Sequence, residues 1–559
     1  MTVFDLLIRG GTVLDGRGSH SVVADVAIVD GLIAEIGPNL GAAQQTIDAA
    51  GCMVTPGFID GHTHLDAQIF WDPYAGSLAS HGVTSAVMGN CGFSLAPGTE
   101  ADADLVLRSI ERAEDMSREA IQRGVPWSWR SFPEYLDAVE ALPKGLNIGA
   151  QLGHSALRAA VMGERAFTGD ATEDDLEAMQ AAVRMAMECG AVGFSTSRSH
   201  AHVTKAGAPV ASRMARWDEV ARLVMAMSQV GRGMFQLAPE RPSDPADIAA
   251  YQSRLQALAV ASGRPLSFMV GGQKEQLDAV DGVRNSGGVA FGQVHVRGFE
   301  NIFGFKTALP FDRLPLWSSI RSVSRSEQRR ALADPNLRAR LVAEAESGDY
   351  GQAIGAEIRA PQFDQIMVID DADVTERSVA EIARPSGASP VDVMIDLALH
   401  TDFDQLFRQP IGQVSKDLVL DGLRHPNTVI AASDSGAHIS QILDSNIPTY
   451  FLSHWVRSLQ AFEWPEAIRM LTGRPAEIWG LERRGALAPE FSADIVVFDP
   501  ATIACEQPKV VNDLPDGGPR LAQASRGIRA TIVNGDAVMV DGEATGATPG
   551  RLLRGGRAA

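Results

Sequence analysis

Cysteine is scarce in this chain of 559 residues. Cys52, Cys91, Cys189 and Cys505 are scattered and form no CxxC pair. In a chain this long they do not describe a disulfide framework. Long apolar runs are missing as well: no stretch approaches the roughly 20 apolar residues of a membrane span. The opening MTVFDLLIRGGTVLDG has no basic region ahead of such a run, so no secretory signal is expected. A reducing cytoplasm is the expected location. Positive charge is also in short supply, with 49 Lys and Arg against 69 Asp and Glu and a formal net charge of −20. A negative surface repels phosphate backbones and anionic membranes, so nucleic acid and lipid are not expected partners.

What is present describes a folded protein. Hydrophobic residues make up 45% and charged residues 21%, ordinary globular proportions. The length suits one large domain with a satellite. Short apolar bursts broken by Gly-Gly, Asp-Gly and Gly-Pro turns open the chain, in FDLLIRGGTVLDG and VVADVAIVDGLIAEIGPN. The same hairpin texture returns in SADIVVFDP and IRATIVNGDAVMVDGE. Residues 1–55 and 481–559 are therefore expected to share one small β domain.

Residues 56–480 read differently. Eight apolar runs end in polar or glycine-rich clusters: CMVTPGFIDGHTH, VTSAVMGNCG, LNIGAQLGHS, AVGFSTSRSH, GMFQLAPE, LSFMVGGQ, GVAFGQVHVR and TVIAASDSGAH. Helical patterns lie between them, as in DDLEAMQAAVRMAMECG and WDEVARLVMAMSQVG, which stop at glycine. Eight strand–helix alternations predict an α/β fold, a (β/α)₈ TIM barrel carrying the small β-sandwich domain of the termini. Insertions at 93–145 and 298–427 follow the second and seventh strands. On a barrel they fall on the C-terminal face, as lids or substrate walls.

His62 and His64 are two residues apart at the first strand's end, so both point to one face. Two imidazoles on one face can chelate a divalent ion such as Zn²⁺, or each can simply hydrogen-bond a loop. Other histidines end other strands: His154 after the third, His200 and His202 after the fourth, His295 at the seventh, and His438 four residues beyond Asp434. Each is a candidate ligand, acid/base or carbonyl-polarising donor, or a satisfied loop residue. Five such histidines out of 12 in the chain favour a site. Arg158, Arg198 and Arg297 lie nearby as candidate carboxylate clamps, or as surface ion-pair partners. His454, inside YFLSHWVR, reads as structural.

PGFIDGHTH, SDSGAH and the split β domain resemble the amidohydrolase superfamily of metal-dependent hydrolases. VTSAVMGNCGFSLAP resembles the Gly-Asn-Cys-Gly signature of its N-acyl-D-amino-acid deacylase, or D-aminoacylase, branch, and ALAPEFSADIVVFDP resembles that branch's C-terminal strand pair. The resemblance covers nearly the whole chain. It implies His62, His64, Cys91 and Asp434 as metal ligands, with Asp434 also the catalytic proton shuttle. Cys91 is otherwise a buried small side chain, and Asp434 a turn residue before Gly436. Family ligands pass over Asp66.

The branch carries metal-binding histidines on its fifth and sixth strands. This chain has Gln236 on the fifth and no histidine on the sixth. One Zn²⁺ is therefore expected rather than two. The implied reaction is hydrolysis of a C–N amide bond in a small N-acyl amino acid or related amide. His154, Arg158, Arg198, His200, Gln236, His295, Arg297 and His438 are the candidate substrate contacts. A deaminase or cyclic-amide hydrolase of the same superfamily, and a metal-free barrel kept for binding, are the rival readings. A homo-oligomer is compatible with the sequence, though no pattern in it specifies one.

Overall fold

The computed structural model describes residues 3–370, 377–412 and 414–555. Eight parallel strands form its centre: β1 (Phe58–Asp60), β2 (Val83–Met88), β3 (Asn147–Gly153), β4 (Gly193–Ser197), β5 (Met234–Ala238), β6 (Leu266–Met269), β7 (Ala290–Val294) and β8 (Thr428–Ile430). They pair in sequence order and curve into a nearly closed barrel. Each of the eight apolar runs contributes one strand. Every residue of β2 and β3 is buried. That burial on both faces explains runs that are continuous rather than alternating.

The helices lie where the periodicity put them. Glu173–Glu188 starts with a capping box between Thr172 and Asp175 and buries Leu176, Met179, Val183 and Met187 along one stripe. Trp217–Val230 ends at Gly231, whose φ of 78° is the left-handed stop.

The first apolar run serves two sheets. Met53–Pro56 belongs to the small domain and β1 to the barrel, with Gly57 between them. Met53–Pro56 runs parallel to Phe4–Val13 and antiparallel to Ile495–Phe498. Both ends of the chain thus close one sheet, as expected. That sheet has two apolar faces. Ile495 and Val497 join a core with Ile8, Val26, Val54 and Ile532. Val496 and Phe498 point the other way, into the barrel's core. Alternation along one strand holds the two domains together.

The insertion after β2 is pinned by aromatics. Trp129 donates its indole N–H to the Leu95 carbonyl at 3.0 Å and meets Tyr135 edge-on, with Phe70 alongside. The insertion after β7 has its own core around Phe303, Phe311, Trp317, Ile395 and Phe407. It also has its own antiparallel sheet of Glu300–Gly304, Leu406–Pro410 and Met367–Val368. Its last part corrects the expected boundary at 427. Helix Lys416–Arg424 packs on β7 and β8 and belongs to the barrel. Among the described residues no helix is long and apolar enough to cross a membrane.

Candidate metal centre

His62 and His64 leave β1 fully buried. The Nδ1 of His62 lies 2.5 Å from Gln293 Oε1 on β7, and Gln293 donates its own amide to Ser267 Oγ on β6 at 2.9 Å. An amide oxygen only accepts, so Nδ1 carries the proton and Nε2 keeps a lone pair. That Nε2 faces Cys91 Sγ at 3.3 Å and Asp434 Oδ1 at 3.2 Å. His64 Nε2 lies 3.7 Å from the same carboxylate oxygen. Ligand atoms of His62, His64 and Cys91 all fall within 4.8 Å of one another. Donors about 2.0–2.3 Å from one tetrahedral ion stand roughly 3.3–3.8 Å apart, and the contacts of His62 with Cys91 and of Asp434 with both histidines, at 3.2–3.7 Å, suit a shared cation.

The loops presenting these groups are tightly held. Cys91 has φ 56° and Asp434 φ 49°, in the left-handed region. Such conformations cost on the order of 1–3 kcal/mol and persist only where the surroundings fix them. Cys91 is fixed by its N–H donating to Gln236 Oε1 at 2.7 Å. Next to it, Asp66 accepts the Gly89 N–H at 2.9 Å, so Asp66 anchors the Gly-Asn-Cys-Gly loop. Asn90 ties the loop to β1 and β3 through the Thr63 carbonyl and the Gln151 amide. Gly89 must be glycine, because a Cβ there would sit 2.2 Å from the Gln151 carbonyl oxygen. Gly436 must be as well: its Cβ would meet the His64 carbonyl oxygen at 2.3 Å. His64 N–H donates to the neighbouring Ser435 carbonyl at 2.8 Å, joining the ends of β1 and β8.

Electrostatics favour a cation. Burial lowers both imidazoles, His64 further through His62 and His438 beside it, so both rings are neutral and able to ligate. Burial pushes Asp434 up to about 7, with Asp444 adding to the rise. Burial, then Glu114 and Asp434, raise the Cys91 thiol. A divalent ion reverses the direction for both acids. Asp434 Oδ1 is buried with no hydrogen-bond partner. It faces the His62 lone pair, so the two need a proton or a metal ion between them. Two ring nitrogens, one sulfur and one oxygen are a donor set that suits zinc.

Comparison with known proteins gives the family. A family model described as "Amidohydrolase family" matches residues 45–539. The chain belongs to the amidohydrolase family. It is an enzyme of that family's carbon–nitrogen hydrolases and is D-aminoacylase-like. It is 28% identical to a D-aminoacylase of Alcaligenes xylosoxydans xylosoxydans, over 98% of this chain and 97% of that one. An N-acyl-D-glutamate deacylase from the same organism is 30% identical over 98% and 96%. A solved D-aminoacylase structure, described for its binuclear metal centre, superposes with a TM-score of 0.65 at 25% identity, covering 99% of this chain and all of that one.

In this amidohydrolase several expected substrate contacts are committed elsewhere. His154 and Arg158 are completely buried. His154 uses both ring nitrogens, on Thr196 at 2.8 Å and Glu219 at 2.9 Å. Arg158 pairs with the same Glu219 and donates to the Gly169 carbonyl. Their expected place against substrate is corrected, because no ring nitrogen is free and neither side chain reaches solvent. Arg198 is held by Glu240 at 3.1 Å and lies over the Trp217 ring. Arg297 pairs with Asp444 at 2.5 Å and covers Tyr450. Neither is a free clamp. His200 is exposed and touches Arg213. Gln236 spends its oxygen on Cys91, leaving its buried amide nitrogen without a partner.

His295 and His438 stay close to the centre. His295 lies 3.3 Å from Asp444 Oδ2. Against the upward pull of burial, His295 and Arg297 hold Asp444 below the usual carboxylate range.

Three groups escaped the sequence reading or were underrated by it. Gln293 orients His62. It shares the strand parity of His295, a signal that was available. His202 is half-buried beside Phe93, shares a hydrogen bond with Ser197 Oγ at 2.7 Å, and is driven down to about 3 by desolvation and then by His438. Glu114, from the insertion after β2, lies 3.6 Å from His64 Nε2. It sits in an acid-rich segment where nothing local marks it.

Proposed function

We propose that this enzyme hydrolyses the C–N amide bond of a small N-acyl amino acid, with Asp434 as proton shuttle. The observation that carries the reading is the convergence of His62 Nε2, His64 Nε2 and Cys91 Sγ near the unpartnered Asp434 Oδ1. His62, His64, Cys91 and Asp434 would hold one zinc ion. When bound, such an ion supplies Lewis acidity, polarising a carbonyl and making water nucleophilic at neutral pH. Asp434 takes the proton of the attacking water and returns it to the leaving nitrogen. Its Oδ1 is buried and holds no hydrogen bond within the chain, so it is free to take that proton. His202 and His438, both close to His64, are neutral ring donors for the carbonyl oxygen.

An N-acyl amino acid also brings a carboxylate. Arg213 is available to it: its guanidinium donates to the His202 carbonyl at 2.9 Å and has no acidic partner among the described residues. The D-aminoacylase and D-glutamate deacylase relatives support D-stereochemistry in the substrate.

The test is a panel of N-acyl-D-amino acids, their L-enantiomers and cyclic amides, run on protein purified without chelator and assayed for metal. Release of free amino acid from the D-series, with about one equivalent of zinc, is expected. Turnover of cyclic amides alone would move the reading to the cyclic-amide hydrolases. Less than about one-tenth of an equivalent of metal, with no rescue by added Zn²⁺, would leave a non-catalytic barrel.

A further inference from the structure

We infer that Glu114 is a ligand of the metal centre, delivered by the insertion after β2; the inference rests on the metal reading above. Three observations carry it. The first is placement. The Glu114 carbonyl accepts the His438 N–H at 2.6 Å, and Ser440 Oγ donates to Asp115 at 2.6 Å. These bonds stitch the insertion to the loop after β8.

The second is direction. Glu114 Oε2 stands 3.6 Å from His64 Nε2 and 3.5 Å from His438 Nε2. His64 Nε2 is also the atom that faces Asp434. A carboxylate that merely oriented the ring would sit behind it, as Gln293 sits behind His62. Glu114 instead shares the open side of His64 with the other donors, at a spacing two ligands of one ion adopt.

The third is its unmet need. Glu114 is 2% exposed, and its Oε1 is buried with no hydrogen-bond partner. Among the described residues it is paired with neither lysine nor arginine; its ion-pair neighbours are His64 and His438. A buried carboxylate without a positive partner is costly. Glu114 faces the same His64 Nε2 as Asp434, so one cation at that nitrogen would answer both carboxylates.

The experiment compares wild type with Glu114→Gln, which keeps shape and loses charge. Zinc affinity is measured by competition with a chromophoric chelator, and Co²⁺-substituted protein is followed by visible absorption. The variant is expected to bind zinc about tenfold or more weakly and to show a changed Co²⁺ spectrum. Unchanged affinity and spectrum would overturn the inference, leaving Glu114 a neutral acid hydrogen-bonded to histidine and the metal reading intact. Wild type that binds no metal would overturn both. If the variant fails to fold, a zinc-edge anomalous map of wild-type crystals decides. A Glu114 oxygen about 2.0–2.2 Å from the peak supports it; one beyond van der Waals contact sinks it.

Discussion

Two buried histidine–carboxylate clusters lie in one barrel, and they are built on opposite principles. Around Glu219 every charge has a partner within the chain: Arg158 and His154 both engage its carboxylate, and Thr196 takes the other ring nitrogen. Around Asp434 the acids face imidazoles and no lysine or arginine among the described residues. Cys91, Glu114 and Asp434 can each carry negative charge, and their neighbours are neutral rings. The first cluster balances its charge as folded, leaving only the Arg158 Nε without a partner. The second, on the reading proposed above, is completed by a cation from outside. Residue type does not separate them; the presence of an arginine and the count of orphaned atoms do.

That contrast can be broken at several points. The largest effect is expected at Asp434. Asp434→Asn should lower kcat by about 10²–10⁴-fold while metal content, measured by elemental analysis, stays near that of wild type. A kcat within a factor of a few of wild type would remove Asp434 from proton transfer. In the saturated cluster the loss should appear in stability instead. Glu219→Ala strands the buried Arg158 and should cost about 3–5 kcal/mol in urea unfolding, with zinc affinity of the folded fraction unchanged. A zinc affinity that falls with it would mean the two clusters are coupled. Smaller still is the effect at Gln293, which acts through His62. Gln293→Ala should weaken zinc binding by about 10–100-fold and leave the melting transition nearly in place. The smallest belongs to His200, an exposed residue outside both clusters. His200→Ala should change stability by less than about 0.5 kcal/mol and leave kcat/KM as it was; a clear rise in KM would return it to the substrate site.

Much of this molecule was legible before its structure was. The eight strand runs and the shared terminal sheet follow from turn chemistry and periodicity, which are local. The convergence of His62, His64 and Cys91 near Asp434 follows from their places at strand ends and from the glycines that shape those loops, while their role as ligands is the proposal made above. Gly89 and Gly436 stand where any Cβ would strike a carbonyl. His154 and Arg158 were misjudged for a physical reason. A strand-end histidine looks the same in sequence whether its nitrogens are free or spent, and Glu219 is more than 60 residues away on a helix. Glu114 was invisible for the converse reason. Its position depends on the Trp129 anchor and on bonds to His438 and Ser440, none of which is close in sequence. The boundary at 427 failed because Lys416–Arg424, an amphipathic helix, reads alike in a satellite and on a barrel.

The pairing of Met53–Pro56 with Ile495–Phe498 sets a schedule for biosynthesis. About 440 residues separate the two strands, so at roughly 5–20 residues per second the first waits about 20–90 s for its partner. Through that interval the ribosome carries a nascent chain with an open strand edge and an uncovered apolar face, which is what holdase chaperones recognise. The small domain's sheet therefore becomes self-sufficient only once Ile495–Phe498 has been made.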